Sequence, residues 1–253
     1  MILDDILGII PARYASTRFP GKPLADIGGK PMIQRVYEQS RKALKYVYVA
    51  TDDIRIENAV LAFGGNVVMT SPDNKSGTDR CAEALNIIEQ ATGKSFEAVI
   101  NIQGDEPFIE PHLLEMLSVS FMSSFTEIAT LVKPLTKTED LFDANKPKVV
   151  VNIKYEALYF SRSPIPYLRN VAKEDWVKNH KYYAHIGLYG YRSDILREIT
   201  MLKPSSLELA ESLEQLRWLE NGYTISVRET EHESIAIDTP DDLKKTRQWL
   251  MCH

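Results

Sequence analysis

Three cations lie close behind a short apolar run. Ile6-Leu7-Gly8-Ile9-Ile10-Pro11 leads into Arg13, Arg18 and Lys22, with the hydroxyls of Ser16 and Thr17 between them. A guanidinium offers a planar fork of donors and an ammonium a compact charge, a pairing that suits a polyphosphate. Gly21 lets the backbone come close to a ligand, while Pro20 and Pro23 restrict the chain around Lys22. A solvated basic loop would have the same composition. Two acids are placed to complement these cations. Asp105 follows an apolar run and Gly104, and Asp238 follows Ile235-Ala236-Ile237. Carboxylates at strand ends can hold Mg²⁺, which binds through one or two such groups plus substrate phosphates. Each also has a plainer role, Asp105 as a turn acid and Asp238 as a helix cap before Thr239-Pro240. Ser76-Gly77-Thr78 opens a helix whose backbone N–H groups could contact a ligand. Arg80 sits in that helix's first turn, where the macrodipole disfavours a cation. An anionic or carbonyl partner would explain it, and so would a salt bridge to Asp79 or Glu83.

Elements that could position these residues alternate along the first half. The opening run reads as a buried strand of a parallel sheet, and in open α/β sheets ligands lie off the carboxyl ends of strands. Pro31 falls at a plausible first helical position, with Met32, Ile33, Val36 and Tyr37 at helical spacing. A strand over 46–51, a helix through Ile56, Val60 and Phe63, and a strand over 67–69 follow. Next come a helix over 78–91, a strand between Phe96 and Gln103, a helix from Pro111 to Phe121 and a strand over 128–135. This order predicts a three-layer α/β/α, Rossmann-like domain with a mostly parallel sheet.

From Val149 the pattern changes to antiparallel strands over 149–153 and 157–160, joined by a turn at Lys154-Tyr155-Glu156. Prolines and charges over 163–180 predict a loop, and Lys181–Arg192 a returning strand. Helices over 193–200 and 206–221, strands over 223–228 and 234–237, and a last helix from Pro240 complete the reading. The economical account is a single domain over 1–253 with an inserted lobe at about 146–205.

Two hundred and fifty-three residues with a net charge of −5 provide ample core and argue against general nucleic-acid binding. Cys81 and Cys252 stand in no metal or redox spacing, the five histidines in no zinc spacing. The acidic start, Met1-Ile2-Leu3-Asp4-Asp5, does not read as a signal peptide, and no apolar run approaches a membrane span of ~20 residues. A cytoplasmic protein without nucleic-acid or membrane partners is expected. Gly93-Lys94-Ser95 imitates the tail of a P-loop, but Ile88 occupies the place of its first glycine. With GxGxxG and GxSxG absent as well, hydride transfer and serine hydrolysis lose support.

The run Pro11-Ala12-Arg13…Ser16-Thr17-Arg18…Pro20-Gly21-Lys22-Pro23 resembles the opening signature of the 3-deoxy-manno-octulosonate cytidylyltransferases. The likeness continues, in order, through Val49-Ala50-Thr51-Asp52, Ser76-Gly77-Thr78-Asp79-Arg80, Asn101-Ile102-Gln103-Gly104-Asp105-Glu106-Pro107 and Ala157-Leu158-Tyr159-Phe160-Ser161-Arg162. It then takes in His185-Ile186-Gly187-Leu188-Tyr189, Leu213-Glu214-Gln215-Leu216-Arg217 and Asp238-Thr239-Pro240. One block would be weak; the ordered set over nearly the whole chain is specific.

The resemblance implies the nucleotide-diphospho-sugar transferase fold, a homodimer assembled through the inserted lobe, and CMP transfer from CTP to 3-deoxy-D-manno-octulosonate (Kdo). It moves Asp105 and Asp238 towards Mg²⁺ and gives Arg13 and Lys22 the triphosphate, with Arg18 supporting. Pro11, Ala12, Ser76, Gly77, Thr78, Arg80 and Gln103 would complete the nucleotide site. Many members have Glu where Asp79 stands, so no contact is carried over to it. Arg162 would meet the sugar carboxylate, and His185, Glu214 and Gln215 its hydroxyls. Tyr189 matches the same block, although its strand of alternating tyrosines reads as packing. On the residues alone, His185 would be a structural histidine and Glu214 and Gln215 a solvated mid-helix face. An 8-amino-Kdo or other ulosonate acceptor, a hexose-1-phosphate nucleotidyltransferase and a non-catalytic nucleotide-binding regulator are the rival readings.

Overall fold

In the computed structural model the opening apolar run is β1 (Ile6–Ala12), buried at every residue but Pro11. The structure describes residues 5–15, 19–232 and 236–252. After β1 come the short strands β2 (Asp26–Ile27) and β3 (Lys30–Pro31), α1 (Met32–Ala43), β4 (Tyr46–Thr51), α2 (Ile54–Ala62), β5 (Val67–Met69), α3 (Gly77–Thr92), β6 (Ala98–Asn101) and α4 (Pro111–Ser120). β4 and β6 flank β1, and β5 lies beyond β4, all in parallel register. Parallel neighbours need crossovers, and these helices supply them. α1 turns Met32, Ile33, Val36, Tyr37, Ser40 and Ala43 inward, the 3–4 spacing of an amphipathic helix packed on a sheet. α3 is bounded by Ser76, whose Oγ accepts the Asp79 N–H, and by Gly93 in the left-handed region at φ 68°.

Pro31 does not open α1 from within. Gly28 and Gly29, at φ 58° and 80°, turn a two-residue hairpin that pairs Asp26 with Pro31, and Pro31 becomes the residue before the helix.

The chain divides into two compact units. One is Met1–Val119 with Ser234–His253, the other Ser120–Glu233. The second contains β7 (Ile128–Pro134), α5 (Thr138–Phe142), β8 (Lys148–Val151), β9 (Ala157–Ser161), α6 (Trp176–Asn179), β10 (Tyr183–Arg192), α7 (Ser193–Ile199), α8 (Ser206–Glu211), α9 (Gln215–Glu220) and β11 (Ile225–Glu229). β7 pairs antiparallel with β10 and parallel with β11, while β8 and β9 form an antiparallel hairpin joined to β10. The unit is therefore wider than the 146–205 lobe, because β7 and β11 close on each other from either side of it. The final helix, α10 (Pro240–Cys252), belongs to the first unit. The architecture is the α/β class that the alternation predicts, with β1, β4, β5 and β6 parallel in the first unit and mixed pairing in the second.

Two stretches differ from expectation. The 163–180 segment is not all loop: a 3-10 turn (Lys173–Asp175) leads into α6, and Trp176 is buried against Leu135, Leu141 and Tyr182. One apolar anchor among prolines and charges leaves no periodicity to read. The helix expected over 206–221 is broken at Ser212, which takes φ 52° and caps α8. The first two residues of the strand expected over 234–237 lie outside the described residues; Ala236 and Ile237 are not in a strand.

Candidate active site

The end of β1 and the return of the chain near α10 bring the charged residues together. Lys22 begins a 3-10 turn (Lys22–Leu24) behind Gly21, whose φ of 72° suits a residue without a side chain. From there its Nζ donates to Asp105 Oδ2 at 2.7 Å and to Asp238 Oδ1 at 3.3 Å. The two acids, 133 positions apart in sequence (238 − 105), thus share one cation. Backbone geometry fixes their approach, since the Ile237 N–H donates to the Asp105 carbonyl at 2.9 Å. Gly104 is needed just before Asp105, where a Cβ would stand 2.9 Å from the Pro11 carbonyl oxygen. Two carboxylates converging on one positive charge form the hard-oxygen donor set that a divalent cation uses with phosphate oxygens. The acid of the Asp238 segment that caps is Asp242, which accepts the N–H groups of Asp238 and Thr239 and leaves the Asp238 carboxylate to Lys22.

A cavity of about 450 Å³ opens beside this triad. Its lining combines the β1 end (Pro11, Ala12, Arg13, Ala15), the turn of Lys22 and Pro23, the α3 start (Lys75, Ser76, Gly77) and the β6 exit (Gln103, Gly104, Asp105). The Arg13 guanidinium donates to the Asn74 carbonyl. Glu83 on α3 holds that loop by accepting the Ser71 N–H and the Asn74 side-chain amide. Asp79 acts within its own helix start, where Oδ2 accepts the N–H groups of Lys75 and Ser76 and completes a capping box on α3. The cavity therefore meets the first N–H groups and positive dipole end of a 16-residue helix.

Thr78 and Arg80 are elsewhere. Thr78 is buried, and Arg80 is wholly buried with NH1 on Thr70 Oγ1 at 2.5 Å and NH2 on Asp52 Oδ2 at 3.1 Å. Asp52, just past β4, is the counter-charge, rather than Asp79 or Glu83. Sequence spacing cannot show a partner on another strand end. Arg18, with Ser16 and Thr17, lies outside the described residues. Sequence reasoning missed Lys75, an exposed lysine whose one signal is that it immediately precedes the helix-opening Ser76-Gly77-Thr78.

The residues matched to a sugar acid lie in the second unit. The His185 ring packs against Phe160 and Tyr189, with centroids 5.0 and 5.2 Å away. Thr130 Oγ1 lies 3.1 Å from His185 Nε2, a hydrogen bond whose direction follows the ring tautomer, and 2.9 Å from the Leu188 carbonyl oxygen. Burial holds His185 down to about 3, so it is neutral near pH 7. Burial first, then the charges of Tyr191 and Glu214, pushes Tyr189 well above the ordinary phenol range. Glu214 and Gln215 are not mid-helix. The break at Ser212 makes Glu214 the residue before α9 and Gln215 its first, and Gln215 Nε2 is buried without a hydrogen-bond partner. Arg162 is committed to this turn: it donates from Nε to the Glu211 carbonyl at 2.8 Å, from NH1 to Ala144 at 3.0 Å and from NH2 to Ser212 at 3.3 Å. The free donor fork expected for a carboxylate is thus largely occupied by backbone carbonyls.

Among the described residues no helix is long and apolar enough to cross a membrane. Residues 7–231 match the family described as Cytidylyltransferase. A 3-deoxy-manno-octulosonate cytidylyltransferase of Parabacteroides distasonis is 60% identical over 248 residues, 96% of this chain and 97% of its own. One of the same name from Bacteroides thetaiotaomicron is 62% identical over 247 residues, again 96% and 97%. A solved CMP:2-keto-3-deoxy-manno-octonic acid synthetase complexed with CTP superimposes with a TM-score of 0.88 at 42% identity, covering 98% of each chain.

Proposed function

The chain belongs to the cytidylyltransferase family, and on that premise we propose that it transfers CMP from CTP to the anomeric hydroxyl of Kdo. The hydroxyl oxygen attacks the α-phosphorus in line, the bond to the β-phosphate oxygen breaks, pyrophosphate leaves, and the hydroxyl proton passes to solvent. Positioning and charge neutralisation carry such a step. The observation that supports it most is the junction of Lys22, Asp105 and Asp238 beside a cavity lined by Arg13 and the start of α3. Arg13 and Lys22 bind the triphosphate and offset charge on the departing pyrophosphate. Asp105 and Asp238 would hold Mg²⁺, which when bound polarises the α-phosphate and lowers the attacking hydroxyl's pKa. His185, Tyr189, Glu214 and Gln215 orient the sugar acid, with Arg162 supplying positive charge nearby. The product serves lipopolysaccharide synthesis in the cytoplasm, where CTP is available. The enzyme acts as a homodimer, supported by the exposed Ile153, Leu158 and Tyr167 of the second unit.

Pyrophosphate release from four nucleoside triphosphates, each offered Kdo, 8-amino-Kdo, another ulosonic acid or a hexose 1-phosphate, tests the activity. CTP with Kdo should give the highest kcat/KM. Tight CTP binding without turnover of any acceptor would refute it.

A further inference from the structure

A contact outside the cavity bears on two of its three lining cations, Arg13 and Lys22. The Arg55 guanidinium, in the first turn of α2, lies 3.3 Å from the centroid of the Tyr14 ring. It is held there by Asp53, which accepts from Nε at 2.9 Å and from NH2 at 2.6 Å, a two-point fork that fixes the plane of the group. Asp53 is itself anchored to β4, its N–H on Thr51 Oγ1 at 3.2 Å, and Thr51 is in register with Ala12 of β1. Tyr14 also packs closely on Gly21. A Cβ there would come within 3.1–3.2 Å of the ring and hydroxyl, and the Gly21 N–H donates to the Tyr14 carbonyl at 2.9 Å. Tyr14 thus joins Arg13, its neighbour, to Gly21, the residue before Lys22.

Given the cytidylyl-transfer reading above, on which this rests, we propose that the Arg55–Tyr14 stack is a clamp that sets Arg13 and Lys22 at the spacing the triphosphate requires. Arg55 is a positioning residue, acting through Tyr14 and Gly21. Its side chain is 56% exposed, and an exposed cation–aromatic contact adds little to stability. Its value lies in geometry, because phosphoryl transfer is sensitive to small misplacements of the groups that bind the phosphates.

Arg55→Ala and Tyr14→Ala, each alone and together, test this, with Arg55→Lys and Tyr14→Phe as conservative variants. Each alanine change should lower kcat/KM for CTP about tenfold and weaken equilibrium CTP binding measured without acceptor. KM for Kdo and the melting temperature should stay near wild type. The double variant should be no worse than either single one, and Tyr14→Phe, which keeps the ring, should recover most of the loss. Wild-type turnover of CTP with Kdo decides the underlying function separately. The clamp is overturned if Arg55→Ala leaves CTP binding and kcat/KM within twofold, if the two losses multiply, or if the melting temperature and KM for Kdo move with them.

Discussion

Replacing Asp105 by Asn separates a structural from a chemical role for the acid pair. The amide keeps the shape of the side chain and the backbone carbonyl that receives the Ile237 N–H at 2.9 Å, so the Asp238 segment stays docked. What is lost is one negative charge 2.7 Å from Lys22 Nζ. At an effective dielectric of about 20, that attraction is about 6 kcal/mol. The two side chains are 16% and 25% exposed, solvent screens them, and Lys22 keeps Asp238 at 3.3 Å. The net cost to stability is therefore about 1 kcal/mol, or about 2–4 °C in melting temperature for a chain of this size. A domain stable by roughly 5–15 kcal/mol remains folded at 25 °C. The chemical cost is larger. If the pair holds the metal–triphosphate as proposed, removing one of the two carboxylates should lower kcat by about 10²–10³-fold, equivalent to about 3–4 kcal/mol in the transition state. Pyrophosphate release across a Mg²⁺ titration measures this, and equilibrium Mn²⁺ binding with CTP should weaken at least tenfold. A kcat within threefold of wild type at saturating Mg²⁺ would remove Asp105 from the mechanism.

Lys75→Gln should raise KM for CTP by roughly 3–10-fold and weaken its dependence on salt, because an exposed cation at the cavity wall acts through screened charge; steady-state kinetics from 50 to 300 mM salt check it. Gly104→Ala should cost about 1–3 kcal/mol in urea unfolding and reduce kcat, since the new methyl meets the Pro11 carbonyl and pushes Asp105 away. Arg80→Met leaves Asp52 and the Thr70 hydroxyl without their partner and should destabilise by about 3 kcal/mol, seen as a lower urea midpoint. His185 binds a proton in the folded state only near pH 3, whereas the unfolded chain binds one near 6.5. Its contribution is therefore intact above about pH 6.5 and lost as pH falls towards 3, at no more than ~1.4 kcal/mol per unit, the limit for one proton. Unfolding of His185→Gln should show a shallower pH slope than wild type between 6.5 and 4.

Much of the first unit is legible in the sequence because its signals are local. β1, β4 and β5 are short apolar runs between breakers, and α3 announces itself through Ser76 at one end and Gly93 at the other. Lys22, Asp105 and Asp238 can be nominated from strand ends alone, but not their meeting on a single ammonium, which depends on contacts across most of the chain. The partner of Arg80 is hidden for the same reason. Elsewhere the chain conceals its breaks: Ser212 adopts a left-handed conformation that sequence rules assign to glycine, so two helices read as one and the buried Gln215 reads as a surface residue. The hairpin at Gly28-Gly29 is readable, yet the helical spacing from Met32 onward draws Pro31 into the wrong element.

The first unit is discontinuous, with its second acid supplied by the returning tail. During synthesis Arg13, Lys22 and Asp105 leave the ribosome long before Asp238, and the lysine can find only one of its two acids. Under the proposed function, such a half-made chain would be a nucleotide cradle with an incomplete catalytic end. Competence then arrives as a late event, when the stretch after β11 comes home and the Ile237 amide closes on Asp105.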